Sequence, residues 1–524
     1  MEDKKRAKER PFEKGQEIEI EIIDMSEQGR GIGKSEGFTF FVKGAVYGDK
    51  VKAVVTKVKK NYGFAQVLEI LEESSFRRDF QCPYVERCGG CSLAGLTYEG
   101  QLKLKEKQVE DKIKRIAGID NPLIREIVPS ENQTRYRNKA VMAISQKEMG
   151  KNKNSKDRNK NKKKGKISKS QSNNLNLHKA EPLIGFYQAG SRQVLNVDDC
   201  LLQAPPVAAV AGALRQFIEE DHITIYNDET GKGLLRHLIV RVAEGTGDVM
   251  VTLVINGKCI PNGEKLVTML DDAIYNLPER IDGSYYGLES VMINIDKTKD
   301  SETKISGIYG NKTEILAGKS VIEDVTEELK YEISPLAFYQ VNSKTTEKLY
   351  DIAMDLADIK GGETVLDLYC GVGTIGLKAC KRGAGKVIGI ESVKPAVIDA
   401  NRNAVINDII PARYVTGKAE EELPKLLKGE GAAEKDSWLA VDKIDVAFID
   451  PPRKGCEKEL LDAVVQAEPE RIVYVSCDPG TLARDIAYIR ENGYEFVEAV
   501  PVDMFPQTVH VESVVLMTRV SPTK

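Results

Sequence analysis

Hydrophobic and polar residues alternate with a period of two near the start of the chain. Residues 16–22 read QEIEIEI, and further strand-like runs lie at 38–42, 50–57 and 65–70, with glycines between them. A period of two indicates strands with one buried face, and several short strands separated by turns are typical of a small barrel. We therefore predict a closed β-barrel over residues 10–70, a shape that often binds nucleic acids.

The pattern changes in the C-terminal part, where short apolar runs are separated by helical stretches. The strand-like runs cover residues 364–368, 386–390, 446–449, 471–476 and 511–518. Strands that alternate with helices predict a doubly wound parallel sheet, so we assign residues 331–524 to a Rossmann-like domain. Residues 131–330 mix strands and helices and predict a central α+β domain. Residues 76–130 combine three cysteines with a helix, which completes an α/β multidomain protein.

Composition adds the expectation of a cytoplasmic protein. No run approaches the ~18 apolar residues of a membrane helix, and the charged start of the chain is unlike a signal peptide. Nine cysteines in a reducing compartment favour metal ligands or nucleophiles over a disulfide framework. The net charge is −4, yet ten Lys or Arg and one acid lie between Lys151 and Lys169. We predict a disordered basic insertion at residues 150–178, a solvated loop with a modest attraction for phosphates.

A glycine-rich turn follows the apolar run at residues 365–368. The turn, Gly371 to Gly376, lets the backbone approach a ligand closely, and Glu391 ends the next strand, where a carboxylate accepts hydrogen bonds from ribose hydroxyls. This pattern alone fits either a dinucleotide or S-adenosylmethionine. Asp367 before the turn and the later Asp450-Pro-Pro sequence favour S-adenosylmethionine.

A cysteine and a glutamate provide candidate catalytic groups. Cys477 ends a strand-like run and precedes Asp-Pro-Gly, a turn that exposes the thiol, although lone cysteines are often buried for packing. Glu512 lies inside an apolar run, where a carboxylate is either paired or used. Methylation of uracil at C5 needs a thiolate that adds to C6 and a base that removes the C5 proton. The chain therefore contains the groups for such a reaction.

Three more cysteines form a local cluster. Cys82, Cys88 and Cys91 have spacings of six and three residues, with two glycines that allow a tight loop. A site with four thiolates needs a fourth ligand, for which Cys200 in a polar loop is the best candidate and Cys259 the rival. Zinc and a four-iron cluster both fit this spacing.

These motifs together resemble the RNA (uracil-5-)-methyltransferase family, in particular the bacterial 23S rRNA 5-methyluridine enzymes. The resemblance covers nearly the whole chain and rests most strongly on Asp450-Pro-Pro-Arg and on Ser-Cys477-Asp-Pro. It implies a TRAM domain for the barrel, Cys477 as nucleophile and Glu512 as base. It further implies cofactor contacts by Gln340, Tyr369, Gly371, Glu391 and Asp450, and a [4Fe–4S] cluster on Cys82, Cys88, Cys91 and Cys200.

The predicted function is transfer of a methyl group from S-adenosylmethionine to C5 of a uridine in 23S rRNA, with no obligate protein partner and no membrane. The same chemistry on tRNA is the alternative, although the tRNA enzyme of this resemblance lacks the cluster cysteines. A nicotinamide oxidoreductase would have no use for the two proline-containing motifs. A non-catalytic RNA-binding iron–sulfur protein would form no covalent complex with RNA.

Overall fold

The computed structural model describes residues 11–146, 181–298, 308–326, 329–441 and 443–520. The predicted basic insertion at 150–178 lies outside these residues. Within them, no helix is both long enough and apolar enough to span a bilayer.

The N-terminal strands close into a barrel in the order β1-β2-β3-β5-β4. Their bounds are β1 (Glu17–Met25), β2 (Gly31–Ser35), β3 (Phe38–Lys43), β4 (Lys50–Val58) and β5 (Tyr62–Glu72). Every second residue of β1 points inward, so that Ile18, Ile20 and Ile22 are buried with Phe40 in the barrel core. The alternation in the sequence thus predicted the barrel correctly, because a period of two places one face of each strand inside.

A long helix and a seven-stranded sheet form the middle of the molecule. The helix is α1 (Tyr98–Ile116), and the sheet has the order β12-β11-β10-β9-β6-β7-β8. Its elements are β6 (Lys139–Gln146), β7 (Pro182–Tyr187), β8 (Val194–Asn196), α2 (Pro206–Glu220), β9 (Leu235–Val242), β10 (Asp248–Ile255), α3 (Gly263–Tyr275), β11 (Gly287–Ile295) and β12 (Lys312–Gly318). Helices α2 and α3 cover one face of this sheet with an apolar core.

A short hairpin leads into the C-terminal domain, whose seven-stranded sheet has the order β17-β16-β15-β18-β19-β21-β20. The elements are β13 (Ile322–Val325), β14 (Lys330–Ile333), α4 (Ser343–Ala357), β15 (Thr364–Leu368), α5 (Thr374–Lys381), β16 (Lys386–Glu391), α6 (Lys394–Ile406), β17 (Ala412–Thr416), α7 (Ala419–Leu427), α8 (Ala432–Lys435), β18 (Val446–Ile449), α9 (Lys458–Gln466), β19 (Arg471–Ser476), α10 (Pro479–Glu491), β20 (Tyr494–Val502) and β21 (Glu512–Arg519). Apolar cores lie on both faces of this sheet.

The last strand differs from the predicted parallel arrangement. Strands β15 to β19 are parallel, as expected, but β21 runs antiparallel to both β19 and β20. Strand β20 follows β19 through α10, and β21 then returns between them. This reversal places the first residues of β21 beside the last residues of β19, with Ser513 paired to Ser476.

The connection from β20 to β21 is anchored by distant parts of the chain. Lys105 of α1 forms a fully buried ion pair with Asp503, with Nζ and Oδ1 2.5 Å apart. The Gln507 backbone donates to the Gln101 side chain at 2.8 Å and accepts from the Leu93 amide at 2.9 Å. The Val509 amide donates to the Ser92 hydroxyl at 3.1 Å. The cysteine-containing segment and α1 therefore hold the chain immediately before Glu512.

Candidate active site

The carboxyl ends of the parallel strands gather the candidate residues at one edge of the sheet. Asp450 follows β18, Cys477 follows β19, and the glycine-rich turn follows β15. Glu512 joins them because it opens the antiparallel strand β21. In an open α/β sheet this edge faces the ligand crevice.

The thiol of Cys477 sits in a rigid connection between β19 and α10. The carboxylate of Asp478 caps α10 and accepts from the amides of Gly480 at 2.8 Å and Thr481 at 2.9 Å. The Asp478 amide in turn donates to the Ser476 hydroxyl at 3.2 Å. An aspartate cap satisfies helix amides that otherwise lack partners, so the turn fixes the direction of the partly exposed Cys477.

Glu512 is a carboxylic acid with an unusually apolar environment. Its side chain is 4% exposed, between buried Val511 and the fully buried Ser513. Its pKa is raised to about 8, chiefly by burial and then by the charge of Asp450, while the guanidinium of Arg453 acts in the opposite direction. A carboxyl group with such a pKa exchanges a proton readily near neutral pH, as a general base must.

The same neighbours act on Cys477. Burial raises the pKa of the thiol to about 12, with a second contribution from the charge of Glu512, while Arg453 lowers it. These mutual effects link Cys477, Glu512, Asp450 and Arg453 into one electrostatic group. In the free protein the thiol is protonated at neutral pH, so thiolate formation requires a change when substrate arrives.

The glycine-rich turn is held by two carboxylates. Oδ2 of the buried Asp367 accepts from the Gly376 amide at 2.8 Å, and Glu391 accepts from the Gly371 amide at 3.3 Å. Gly373 has a φ of +85°, and a Cβ there would lie 2.7 Å from the ring of Tyr414. Such contacts exclude larger residues, so this glycine is required by the packing of the turn.

A cavity opens beside this turn. Four of the five predicted cofactor residues line it: Gln340, Tyr369, Gly371 and Asp450. The other lining residues are Phe338, Tyr339, Tyr350, Cys370, Val372, Thr374 and Ile375. Aromatic rings, exposed backbone amides and a carboxylate suit a nucleoside with polar substituents.

Comparison with known proteins shows the family of the chain. The model of the tRNA (uracil-5-)-methyltransferase family matches residues 304–520, and that of the TRAM domain matches residues 11–68. An uncharacterized RNA methyltransferase from Caldanaerobacter subterraneus is 40% identical over 505 residues, which cover 96% of this chain and 98% of the relative. One from Bacillus cereus is 36% identical over 510 residues, which cover 97% and 98%. The chain belongs to the RNA (uracil-5-)-methyltransferase family.

A solved structure extends the similarity to the whole fold. The tRNA (uracil-54, C5)-methyltransferase of Pyrococcus abyssi, in complex with S-adenosyl-L-homocysteine, is 25% identical, with a TM-score of 0.65. The match covers 96% of this chain and 100% of that one. As a member of this family the protein is an RNA methyltransferase that uses S-adenosylmethionine, and its barrel is a TRAM domain.

The fifth predicted cofactor residue of this methyltransferase has a different position. Glu391 does not line the cavity, and its carboxylate accepts from the amides of Gly371 and Val393, the latter at 2.7 Å. The side chain ends β16 beside the turn, and its Oε1 also accepts from the Ser392 hydroxyl at 3.1 Å. Glu391 stays a predicted ribose contact, because a carboxylate has about four lone-pair sites and can accept a further hydroxyl.

The predicted cluster cysteines approach one another in the methyltransferase. The pKa of Cys91 is raised to about 12, chiefly by burial and then by the charges of Cys200, Cys88 and Cys82. The exposed Cys259 contributes to none of these shifts, which favours Cys200 as the fourth member. Across the described ranges, however, no three side chains of His, Cys, Asp or Glu are positioned to bind one metal ion. The cluster therefore stays a prediction.

Two features of the site had no role assigned from the sequence. Arg453 belongs to the Asp-Pro-Pro-Arg motif, and in the structure its charge lowers the pKa of both Cys477 and Glu512. Tyr350 of α4 contributes a ring to the cavity and accepts a hydrogen bond from Thr374 at 3.0 Å. Tyr350 lies on an amphipathic helix, where its spacing is that of any core residue, so no local signal marks it.

Proposed function

We propose that this methyltransferase forms 5-methyluridine in 23S rRNA, with Cys477 as nucleophile and Glu512 as general base. The observation that supports it is the meeting of these two side chains at one sheet edge, where the charge of Glu512 acts on the Cys477 thiol. A nucleophile and a base within mutual electrostatic reach are what covalent catalysis at uracil requires.

In the proposed mechanism, Cys477 loses its proton and its sulfur forms a bond to C6 of the uracil, which leaves an enolate with a nucleophilic C5. S-adenosylmethionine supplies the methyl group as an electrophile and leaves as S-adenosylhomocysteine. Glu512 then removes the proton that C5 still carries. The electrons of that C–H bond restore the C5–C6 double bond and expel the Cys477 sulfur. The target base must leave its stack for C5 and C6 to reach this pocket.

The cofactor contacts belong to the same proposal. Gln340, Tyr369, Gly371 and Asp450 would hold S-adenosylmethionine in the cavity, and Glu391 would bind its ribose. The buried Asp450 has a pKa raised to about 7, first by burial and then by the charge of Asp367. A carboxyl group that is partly protonated near neutral pH can donate as well as accept a hydrogen bond.

Arg453 provides a test through the pH dependence of the reaction. Because the carboxylate of Glu512, whose pKa is about 8, forms as pH rises, kcat/KM should increase through about pH 7–9 and rise further at higher pH as the thiolate of Cys477 forms. Arg453 lowers both pKa values, so Arg453→Gln should move this rise upward by roughly 0.5–1 pH unit. Lys454→Gln is the matched control, since Lys454 is engaged with Glu457 on the surface. An unchanged profile in Arg453→Gln would contradict the electrostatic link.

The choice of RNA is tested by the products. A strain that lacks the gene should lose 5-methyluridine from 23S rRNA and keep it in tRNA, as measured by mass spectrometry of the two purified RNAs. The alternative substrate is tRNA, which is favoured by the whole-chain similarity to the Pyrococcus abyssi tRNA enzyme. Loss of 5-methyluridine from tRNA alone would establish this alternative.

We further propose that Cys82, Cys88, Cys91 and Cys200 hold a [4Fe–4S] cluster, in a segment spanning residues 76–130 with one ligand from the central domain at 131–330. Methyl transfer needs no electron transfer, so the cluster would stabilise the fold. Protein purified without oxygen should contain about four iron and four sulfide per chain and absorb visible light. Cys200→Ser should lose both, whereas Cys259→Ser should retain them. Stoichiometric zinc without sulfide would contradict the proposal.

A further inference from the structure

The central sheet has a second face that its two helices do not cover. Alternate residues of β9, such as Leu238 and Val240, point towards α2 and α3. Arg241 lies between two residues of β9 that point towards these helices. Its own side chain therefore points to the opposite face of the sheet. That face is turned towards the chain leading to the cofactor cavity, because Nη2 of Arg241 donates to the Ala337 carbonyl at 2.6 Å.

Two cations lie side by side on this second face. Lys139 of β6 is the direct register partner of Arg241 across the antiparallel pair of β6 and β9. Direct partners place their side chains on the same face about 5 Å apart, and like charges there are destabilising. Neither side chain has a carboxylate within ion-pair distance among the residues that the structure describes. The pair therefore brings two basic side chains together, and among the described residues neither forms an ion pair with a carboxylate.

Arg241 is a buried cation with unused hydrogen-bonding capacity. Its side chain is 2% exposed, and its Nη1 is buried without any hydrogen-bond partner. The acids whose charges act on it, Asp324 and Asp399, accept hydrogen bonds elsewhere. Asp324 accepts from Tyr339 at 3.0 Å, and Asp399 accepts from the Ser334 amide at 2.9 Å. A buried donor without a partner costs about 1–3 kcal/mol, which a bound acceptor would recover.

Tyr309 completes the group with a hydroxyl. Its Oη is also buried without a partner, and its ring lies 5.8 Å from Nζ of Lys139. The neighbouring Gly310 is fixed by Asn294 of β11, which accepts from the Gly310 amide at 2.6 Å and donates to its carbonyl at 3.1 Å. Lys139 is partly exposed, whereas Nη1 of Arg241 and Oη of Tyr309 are buried, so a ligand would meet the Lys139 ammonium first and reach the other two donors only when the surrounding side chains move.

We propose that Lys139, Arg241 and Tyr309 bind a phosphate of the RNA backbone. A phosphodiester supplies the negative charge and the acceptor oxygens that these three donors lack, and Arg and Lys are the usual partners of phosphates. This inference rests on the proposed function only in that the substrate is RNA. It assigns no role to the site in methyl transfer itself.

The position of the group explains how such a contact would serve the reaction. Asn138 is next to Lys139. Its side-chain Nδ2 donates to the Gln340 carbonyl at 2.9 Å, and its backbone N–H donates to the Val341 carbonyl at 2.9 Å. The phosphate site is therefore joined by two hydrogen bonds to the segment that lines the cofactor cavity. A phosphate held there would set the register of the RNA strand relative to that cavity.

The cofactor is a less suitable ligand for this group. None of Lys139, Arg241 and Tyr309 lines the cavity beside the glycine-rich turn. Burial, followed by the charge of Arg241, lowers the pKa of Lys139 to about 7. A phosphate would favour the charged ammonium and so reverse this effect.

The test measures RNA affinity against salt concentration, with unmodified RNA from the pool that the wild-type enzyme methylates. Lys139→Gln should weaken binding on the order of tenfold at ~0.1 M salt and reduce the slope of log K against log salt by about 0.7–1. Lys139→Arg should restore both. Lys258→Gln, at an exposed position before α3, is the charge-matched control and should match the wild type. The affinity for S-adenosylmethionine should not change.

The outcomes separate this site from other roles. The proposal is wrong if Lys139→Gln has the same RNA affinity and salt slope as Lys258→Gln. It is also wrong if Lys139→Gln loses affinity for S-adenosylmethionine. Lys139→Gln removes one of two neighbouring basic groups, so its melting temperature should be no lower than that of the wild type; a lower melting temperature would contradict the proposal, because it would show that Lys139 stabilises the fold. Tyr309→Phe provides a second variant, expected to weaken RNA binding without changing the salt slope. Because the assay follows whichever RNA is methylated, a tRNA substrate would change the proposed function and leave this test valid.

Discussion

Cys477→Ala is expected to form no covalent complex with RNA that contains 5-fluorouridine. In the wild type, fluorine at C5 cannot be removed as a proton, so the adduct of the Cys477 sulfur with C6 should persist after methyl transfer. Without the thiol no bond to C6 can form, and turnover on ordinary RNA should fall by about 10⁴-fold or more. Denaturing gel electrophoresis with labelled RNA and S-adenosylmethionine measures the complex directly.

The controls for this experiment use other cysteines of the chain. Cys259→Ala removes an exposed thiol and should form the complex at the wild-type rate. Binding of RNA and of S-adenosylmethionine by Cys477→Ala should remain near wild type, because the β19–α10 turn is fixed by Asp478 rather than by the thiol. A complex that still forms in Cys477→Ala would mean that another residue is the nucleophile.

Glu512→Gln is expected to transfer the methyl group and then accumulate the covalent RNA adduct. The amide has nearly the same shape as the acid but cannot accept the C5 proton, so elimination of the Cys477 sulfur should slow by about 10²–10⁴-fold. A single-turnover assay should show a methyl transfer rate close to wild type, together with an adduct that appears on denaturing gels with unmodified uridine.

The matched control for the base is Glu495→Gln, which changes an exposed acid of the adjacent strand β20. It should turn over as the wild type does. Normal multiple turnover by Glu512→Gln would assign proton removal to another group. If Glu512→Gln slows adduct formation as much as it slows turnover, Glu512 is instead needed before the Cys477 sulfur attacks C6.

The sequence carried enough information for the fold because its signals were local. Alternation in residues 16–22 predicted the barrel, and the apolar runs before Gly371, Asp450 and Cys477 predicted strands that end at the ligand crevice. Each of these signals depends on a short stretch of chain and on where a strand ends. The position of Glu512 depends instead on the reversed direction of β21, which no local pattern encodes.

Other parts of the site could not be predicted, because they depend on residues far apart in the sequence. Lys139 and Arg241 each lie in apolar runs that predict strands, and only the pairing of β6 with β9 makes them neighbours. Similarly, Glu391 was expected to contact ribose because it ends a strand, and its hydrogen bonds to the Gly371 and Val393 amides and the Ser392 hydroxyl depend on how the neighbouring turn folds.

The anchoring of the chain before Glu512 has a consequence for how the enzyme can be divided. The Gln101 and Gln507 side chains bond to each other across 406 residues, and Lys105 is paired with Asp503 across 398. Contacts of such separation close late in folding, because the long loop between them must first be brought together. A fragment of residues 331–520 would contain the cofactor cavity and Cys477 but not these anchors. This fragment should bind S-adenosylmethionine but methylate no RNA. We therefore expect that the C-terminal domain cannot act as an independent methyltransferase.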